Sequence, residues 1–175
     1  MSTVDAPRAA TRVSHAWDVL LTVADPEIPM LSICDLGIVR GVHESEGGTL
    51  AIVLTPTYSG CPATEWIERS VIEALGAAGL SPVQIMLQRA PAWSSDWIST
   101  NGLRKLRECG IVPPPRIGPG EAVPIRMHRS RSQALVCPRC ASADTERISA
   151  FGATACKALW RCCACGEPFE FFKPI

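Results

Sequence analysis

The chain reads as a two-layer α/β domain followed by a small cysteine-rich module, and three observations predict this. Apolar spacing switches from helical to strand-like and back in the order α, β, β, α, β over residues 14 to 90. A Pro- and Gly-rich basic stretch interrupts the chain near residues 116 to 135. Beyond it lie two C-x-x-C pairs within a single short segment.

Residues 1 to 13, "MSTVDAPRAATRV", show no periodic pattern and read as a loose tail. From Ser14, a potential cap, Ala16, Trp17, Leu20, Leu21 and Ala24 follow helical spacing until "DPEIP" stops the run. "GIVRGVHE" and "TLAIVLTPT" are β-rich runs joined by "SEGG", a hairpin signature. After Cys61-Pro62, Trp66, Ile67, Val71, Ile72 and Leu75 describe an amphipathic helix that ends in "GAAGL", and "PVQIMLQRA" is a third strand. A helix joining the second strand to the third packs on one face of the sheet. In "APAWSSDWISTNGLRKLRECGIVPPP", Ser95 or Asp96 can cap a short helix whose last turn is basic. Pro113 to Pro115 then close the first domain, 14–115, leaving a linker at 116–135 and a module at 136–175.

The 175 residues carry 17 basic and 17 acidic side chains, yet residues 1 to 115 hold 8 against 12 and the remainder 9 against 5, which agrees with two pieces. No apolar run approaches the roughly 20 residues of a membrane helix, and the N-terminus lacks an apolar leader, so a cytoplasmic, membrane-free protein is expected. Nine cysteines in a reducing compartment point to metal binding or reactive thiols rather than disulfides. Arg126, His128, Arg129 and Arg131 lack accompanying aromatics and read as a solvated linker, not a nucleic-acid ribbon.

Cys137-Pro-Arg-Cys140 and Cys162-Cys-Ala-Cys165 can bring four thiolates into tetrahedral reach, each knuckle being a turn whose N–H groups point at sulfur. So short a module with few large apolar groups needs a metal to fold. Zinc fits, and a rubredoxin-like iron site uses the same donor set. Cys137, Cys140, Cys162 and Cys165 are chosen by spacing, with Cys156 and Cys163 as alternates in the same unit.

Cys61 is expected at the N-cap of the second helix with Pro62 at its first position, where unpaired N–H groups and the helix dipole favour a thiolate. A thiolate there can hold a metal or attack an electrophile; the alternative is an inert cysteine capping the helix weakly. No His lies nearby in sequence to act as base, because the three are His15, His43 and His128. Asp25, Glu27 and Asp35 sit on loops, with capping and turn formation as their simplest roles. Cys34 and Cys109 read as core or half-buried thiols.

The combination "DPEIPMLSICDLGIV", a hairpin and "LTPTYSGCPA" resembles the domain of SufT-type iron–sulfur cluster assembly factors and their eukaryotic cytosolic counterparts. The match rests on Asp25, Pro26 and Glu27, on Asp35, Leu36 and Gly37, and on Thr57, Cys61 and Pro62. "APAWSSDWISTNGLRKLRECGIVPP" and the cysteine-rich tail, including Phe151 to Lys157, resemble one branch of that family. It comprises the PaaD (PaaJ) accessory subunits encoded with the phenylacetyl-CoA epoxidase of aerobic phenylacetate catabolism.

The resemblance implies a metal–sulfur cluster biosynthesis-type fold, a zinc-ribbon-like module with four cysteine ligands, and maturation of a metalloenzyme. Its clients would be epoxidase components, the reductase with its [2Fe–2S] cluster above all, or the di-iron oxygenase. Cys61 would transiently hold iron or a cluster, with Thr57, Asp25, Glu27 and Asp35 near it. One thiolate is too few for a stable cluster, so sharing with a client or across a homodimer is implied. Ala141 departs from the Gly usual in ribbon knuckles, and Cys163 adds a thiol. A rubredoxin-like electron-transfer subunit and a cysteine-dependent thioester enzyme are the alternative functions; the second lacks a neighbouring base and any acyl-binding motif.

Overall fold

The computed structural model describes residues 6–58, 60–116 and 135–175. The chain divides into two compact units, 1–93 and 94–175.

The first unit follows the expected order: α1 (Ala6–Leu20), β1 (Val39–Glu44), β2 (Leu50–Leu54), α2 (Ala63–Ala77) and β3 (Val83–Leu87). β1 and β2 form an antiparallel hairpin whose turn is closed by Ser45 N–H to Thr49 O (3.0 Å). β3 lies parallel to β2, as a strand, helix, strand crossover requires. Along β2, Leu50, Ile52 and Leu54 are buried and alternate with half-buried Ala51 and Val53. On α2 the buried residues Ala63, Ile67, Val71 and Leu75 recur every four positions. α1 packs against α2 and β1, and α2 against β3, so both helices form one layer over the sheet.

The first helix departs from expectation at its start. It begins at Ala6, eight residues before Ser14, which lies exposed in mid-helix and caps nothing. Alanine-rich sequence favours helix by propensity without needing an apolar stripe, so the absence of periodicity did not mean coil. Arg12, assigned to a tail, pairs with Glu44 and donates to Gly48 O (3.0 Å), tying α1 to the hairpin. Residues 1–5 of that tail lie outside the described residues, as do Arg126, His128, Arg129 and Arg131 of the linker.

The second unit begins far earlier than the prolines suggest. A 3-10 turn (Ser95–Trp97), α3 (Thr100–Glu108) and β4 (Ile111–Val112) precede β5 (Thr145–Ser149), β6 (Lys157–Cys162) and β7 (Pro168–Phe172). The sheet order is β4-β7-β6-β5, with β4 parallel to β7 and the other pairs antiparallel. Ser95 N–H also donates to Ile175 O (3.0 Å). Segment 94–112 thus belongs with the cysteine-rich module because its backbone bonds go there. Ser99, not Ser95 or Asp96, caps α3: its Oγ accepts from Gly102 N–H (2.9 Å). Cys137, Ala158, Trp160, Cys162 and Phe169 form the core, and Val112, Leu135 and Phe171 pack against it. Among the described residues, no helix is long and apolar enough to cross a membrane.

Candidate functional site

In the second unit, the Sγ atoms of Cys137, Cys140, Cys162 and Cys165 all lie within 4.8 Å of one another. The two knuckles repeat one backbone pattern. Cys137 N–H donates to Ser142 O and Cys162 N–H to Glu167 O (both 2.9 Å), while Ala141 N–H returns to Cys137 O and Gly166 N–H to Cys162 O (both 2.9 Å). The fifth residue of each turn is left-handed, at φ 59° for Ala141 and 78° for Gly166. Ala141 therefore occupies a conformation that normally calls for glycine.

Sulfur separations test whether this donor set fits a metal. Zn–S bonds of about 2.3 Å in a tetrahedron place sulfurs about 3.8 Å apart. Cys137 and Cys165 are separated by 3.8 Å, Cys140 and Cys162 by 3.5 Å. A backbone N–H from Cys165 is the main influence pulling the Cys162 thiol down to about 7. At Cys140 a Ser142 N–H acts in the same direction, but hydrogen bonds to Cys165, Cys162 and Cys137 hold the proton and push the thiol up to about 12. The hydrogen bonds shared within the cluster thus push these two thiols in opposite directions. Metal binding is what this arrangement is built for. Cys156 and Cys163 stand outside the group: Cys156 is buried, its Sγ 3.1 Å from Thr154 Oγ1, and Cys163 is exposed.

In the first unit, the Asp35-Leu36-Gly37 turn and the loop leading to Cys61 meet at the carboxyl end of β2. Thr55 N–H donates to Ile38 O (2.8 Å), which sets the loop leading to Cys61 beside the Asp35-Leu36-Gly37 turn. Gln88 N–H donates to Leu54 O (2.8 Å), bringing the end of β3 to the same edge. Crevices outside the carboxyl ends of parallel strands are where α/β sheets bind ligands. Gly60, at φ 84°, turns the chain into α2. Cys61 is half-buried at this opening, but one residue farther out than expected: Pro62 is the N-cap, and Ala63 begins the helix. Pro62 provides no side-chain cap, while Thr64 N–H donates to Cys61 O (3.1 Å).

The acidic motif residues brace their own loops. Asp25 is buried and its Oδ1 accepts from Glu27 N–H (3.0 Å) and Ile28 N–H (2.8 Å). Asp35 Oδ2 accepts from Ser32 N–H (3.2 Å), and Ser32 Oγ accepts from Asp35 N–H (3.0 Å). Glu27 is exposed, and Thr57 is buried. Thr55, which motif reading passed over in favour of Thr57, is 1% exposed, and its hydroxyl has no hydrogen-bond partner among the described residues. The Thr-Pro-Thr repeat was the available signal. Burial pushes the Cys34 thiol up to about 12, with the Asp35 charge adding to it.

Comparison with known proteins agrees with both halves. A family model of an iron–sulfur cluster assembly protein matches residues 14–84, and one of the PaaD zinc beta ribbon domain matches residues 121–173. The chain is 47% identical to an Escherichia coli protein named as a subunit of 1,2-phenylacetyl-CoA epoxidase, over 95% of this chain and 96% of that one. It is 33% identical to an Fe–S protein maturation auxiliary factor of Porphyromonas gingivalis, over 50% of this chain and 84% of that one. The crystal structure of a domain of unknown function from Bacillus anthracis matches with a TM-score of 0.53 at 25% identity, covering 58% of this chain and 96% of that chain.

Proposed function

The chain belongs to the PaaD family of 1,2-phenylacetyl-CoA epoxidase subunits, and from that membership we propose that it is an accessory protein that serves maturation of an iron–sulfur cluster in the epoxidase system. The client is the reductase, whose [2Fe–2S] cluster is the cargo. One observation carries this reading: a half-buried free thiol, Cys61, lies just before the N-cap of α2 at the carboxyl edge of the parallel strands, inside the segment that matches the iron–sulfur assembly model. Similarity to a maturation auxiliary factor supports the same role.

The two thiol groups divide the work. Cys137, Cys140, Cys162 and Cys165 hold zinc, a resident metal that supplies folding energy to the second unit. Cys61 offers one thiolate, enough to receive cargo and too little to keep it, so release to a client with more cysteines is downhill. Thr57, Asp25, Glu27 and Asp35 shape the loops around that opening.

Complementation of cells that make the epoxidase but lack this chain tests the reading. Wild type restores epoxidation of phenylacetyl-CoA, whereas Cys61→Ser, present at the same level and with the same metal content, does not. Full activity with Cys61→Ser overturns it.

A further inference from the structure

The two edges of the sheet in the first unit are built differently. β1, at one edge, exposes Arg40 and His43, and its register with β2 shifts between Val39 and Gly41. Charge and an irregular ladder are how natural sheets keep an open edge from pairing. β3, at the other edge, has neither. It reads Val-Gln-Ile-Met-Leu, without charge or proline, and Val83 to Leu87 pair with Leu50 to Leu54 in unbroken register. Met86 is 49% exposed and Leu87 44%. Among the described residues no strand lies on the outer side of β3.

The phase of the ladder shows what this edge offers. Leu50 N–H donates to Pro82 O (2.9 Å) and Gln88 N–H to Leu54 O (2.8 Å). Backbone groups alternate sides along a strand, so those of Pro82, Gln84, Met86 and Gln88 turn toward β2, and those of Val83, Ile85 and Leu87 turn outward. The N–H that Pro82 lacks is on the β2 side, which leaves the outward row complete.

That row is its own complement. Laid antiparallel about a two-fold axis through Ile85, two β3 strands set Ile85 against Ile85 and Val83 against Leu87, each pair exchanging both N–H to O bonds, about six in all. Apolar side chains then meet apolar ones on the face shared with Leu50, Ile52 and Leu54, and on the opposite face Met86 of one copy lies across from Gln84 of the other. Arg89 falls opposite Ser81, so no like charges meet. Selecting a strand of a different protein needs a charge or a clash that rejects the others, and β3 carries none; a two-fold pairing needs only this self-match.

We propose that the β3 edge joins two copies of this chain, antiparallel about a two-fold axis at Ile85, into a dimer with one continuous sheet. The carboxyl ends of the two β2 strands then lie four residues along and three strand spacings across from each other, roughly 20 Å apart. The two Cys61 openings face opposite ends of the joined sheet, so each thiol meets a client alone and the copies share no ion between them. The dimer does not depend on the function proposed above.

Sedimentation equilibrium of the full-length chain between about 1 and 200 µM tests the proposal. The mass rises with concentration from 18.8 kDa toward twice that value. Gln84→Lys combined with Met86→Lys sets like charges opposite each other across the axis and weakens association about tenfold or more. Gln84→Lys combined with Met86→Glu sets the introduced base of one copy opposite the introduced acid of the other and returns association to within about threefold of wild type. Both positions are exposed, and circular dichroism reports that the double variants are folded. A wild-type mass that stays at one chain throughout overturns the proposal. Equal effects of the two double variants, whether a loss or none, overturn it as well. So do amides of Val83, Ile85 and Leu87 that already exchange slowly at the lowest concentration, because the edge is then covered from within one chain.

Discussion

Ala141 holds the left-handed backbone that its counterpart Gly166 reaches without a Cβ. That conformation costs an alanine about 1–2 kcal/mol, whereas glycine loses about 0.5–1 kcal/mol more conformational freedom on folding. Ala141→Gly is therefore expected to stabilise the metal-loaded second unit by up to about 1 kcal/mol, read as a higher melting temperature. Cys34 gives a pH-dependent counterpart in the first unit. Its thiol stays protonated in the folded chain to about 12 but ionises near 9 when unfolded. Between those values the unfolded state binds fewer protons, so stability falls as pH rises. The slope is at most about 1.4 kcal/mol per pH unit, reduced because the side chain is only partly buried. Cys34→Ala removes that slope in denaturant titrations at pH 8 and above. At this scale the four-cysteine group was legible, because two C-x-x-C turns fix their sulfurs locally. The offset of Cys61 was not: which residue becomes the N-cap depends on how the Gly60 turn enters α2.

Among the elements, α2 was legible from its spacing of four, and β2 from its alternation. The start of α1 was hidden because propensity, not an apolar stripe, extends it. β4 is two residues long and exists as a strand only through its pairing with β7, where Ile111 meets Glu170, a partner no local pattern reveals. Caps distinguish the two serines. Ser99→Ala removes an acceptor from Gly102 N–H and is expected to cost about 1 kcal/mol. Ser14→Ala, in exposed mid-helix, is expected to be neutral or to stabilise by a few tenths of a kcal/mol. Thermal melts of the two variants check the contrast, and an equal loss in both would contradict the position of α1.

For the whole molecule, the boundary after Trp93 and the metal proposed for the second unit's cysteine cluster predict a separable response to chelation. A strong chelator is expected to abolish amide exchange protection in β5, β6 and β7 while β1, β2 and α2 keep theirs. Composition alone had placed the boundary at the prolines, because charge and Pro content mark loops but not the sheet that the preceding strand joins. The same separation underlies the proposed division of labour, in which the four-cysteine group is resident and structural and Cys61 is the working thiol. The most direct test is the [2Fe–2S] occupancy of the epoxidase reductase, measured by its visible and electron paramagnetic resonance spectra after co-production with wild type, Cys61→Ser or Cys137→Ser. Full occupancy is expected with wild type, and a marked loss with Cys61→Ser that is folded and still carries its metal. Occupancy that stays at the wild-type level with Cys61→Ser would contradict a working role for that thiol.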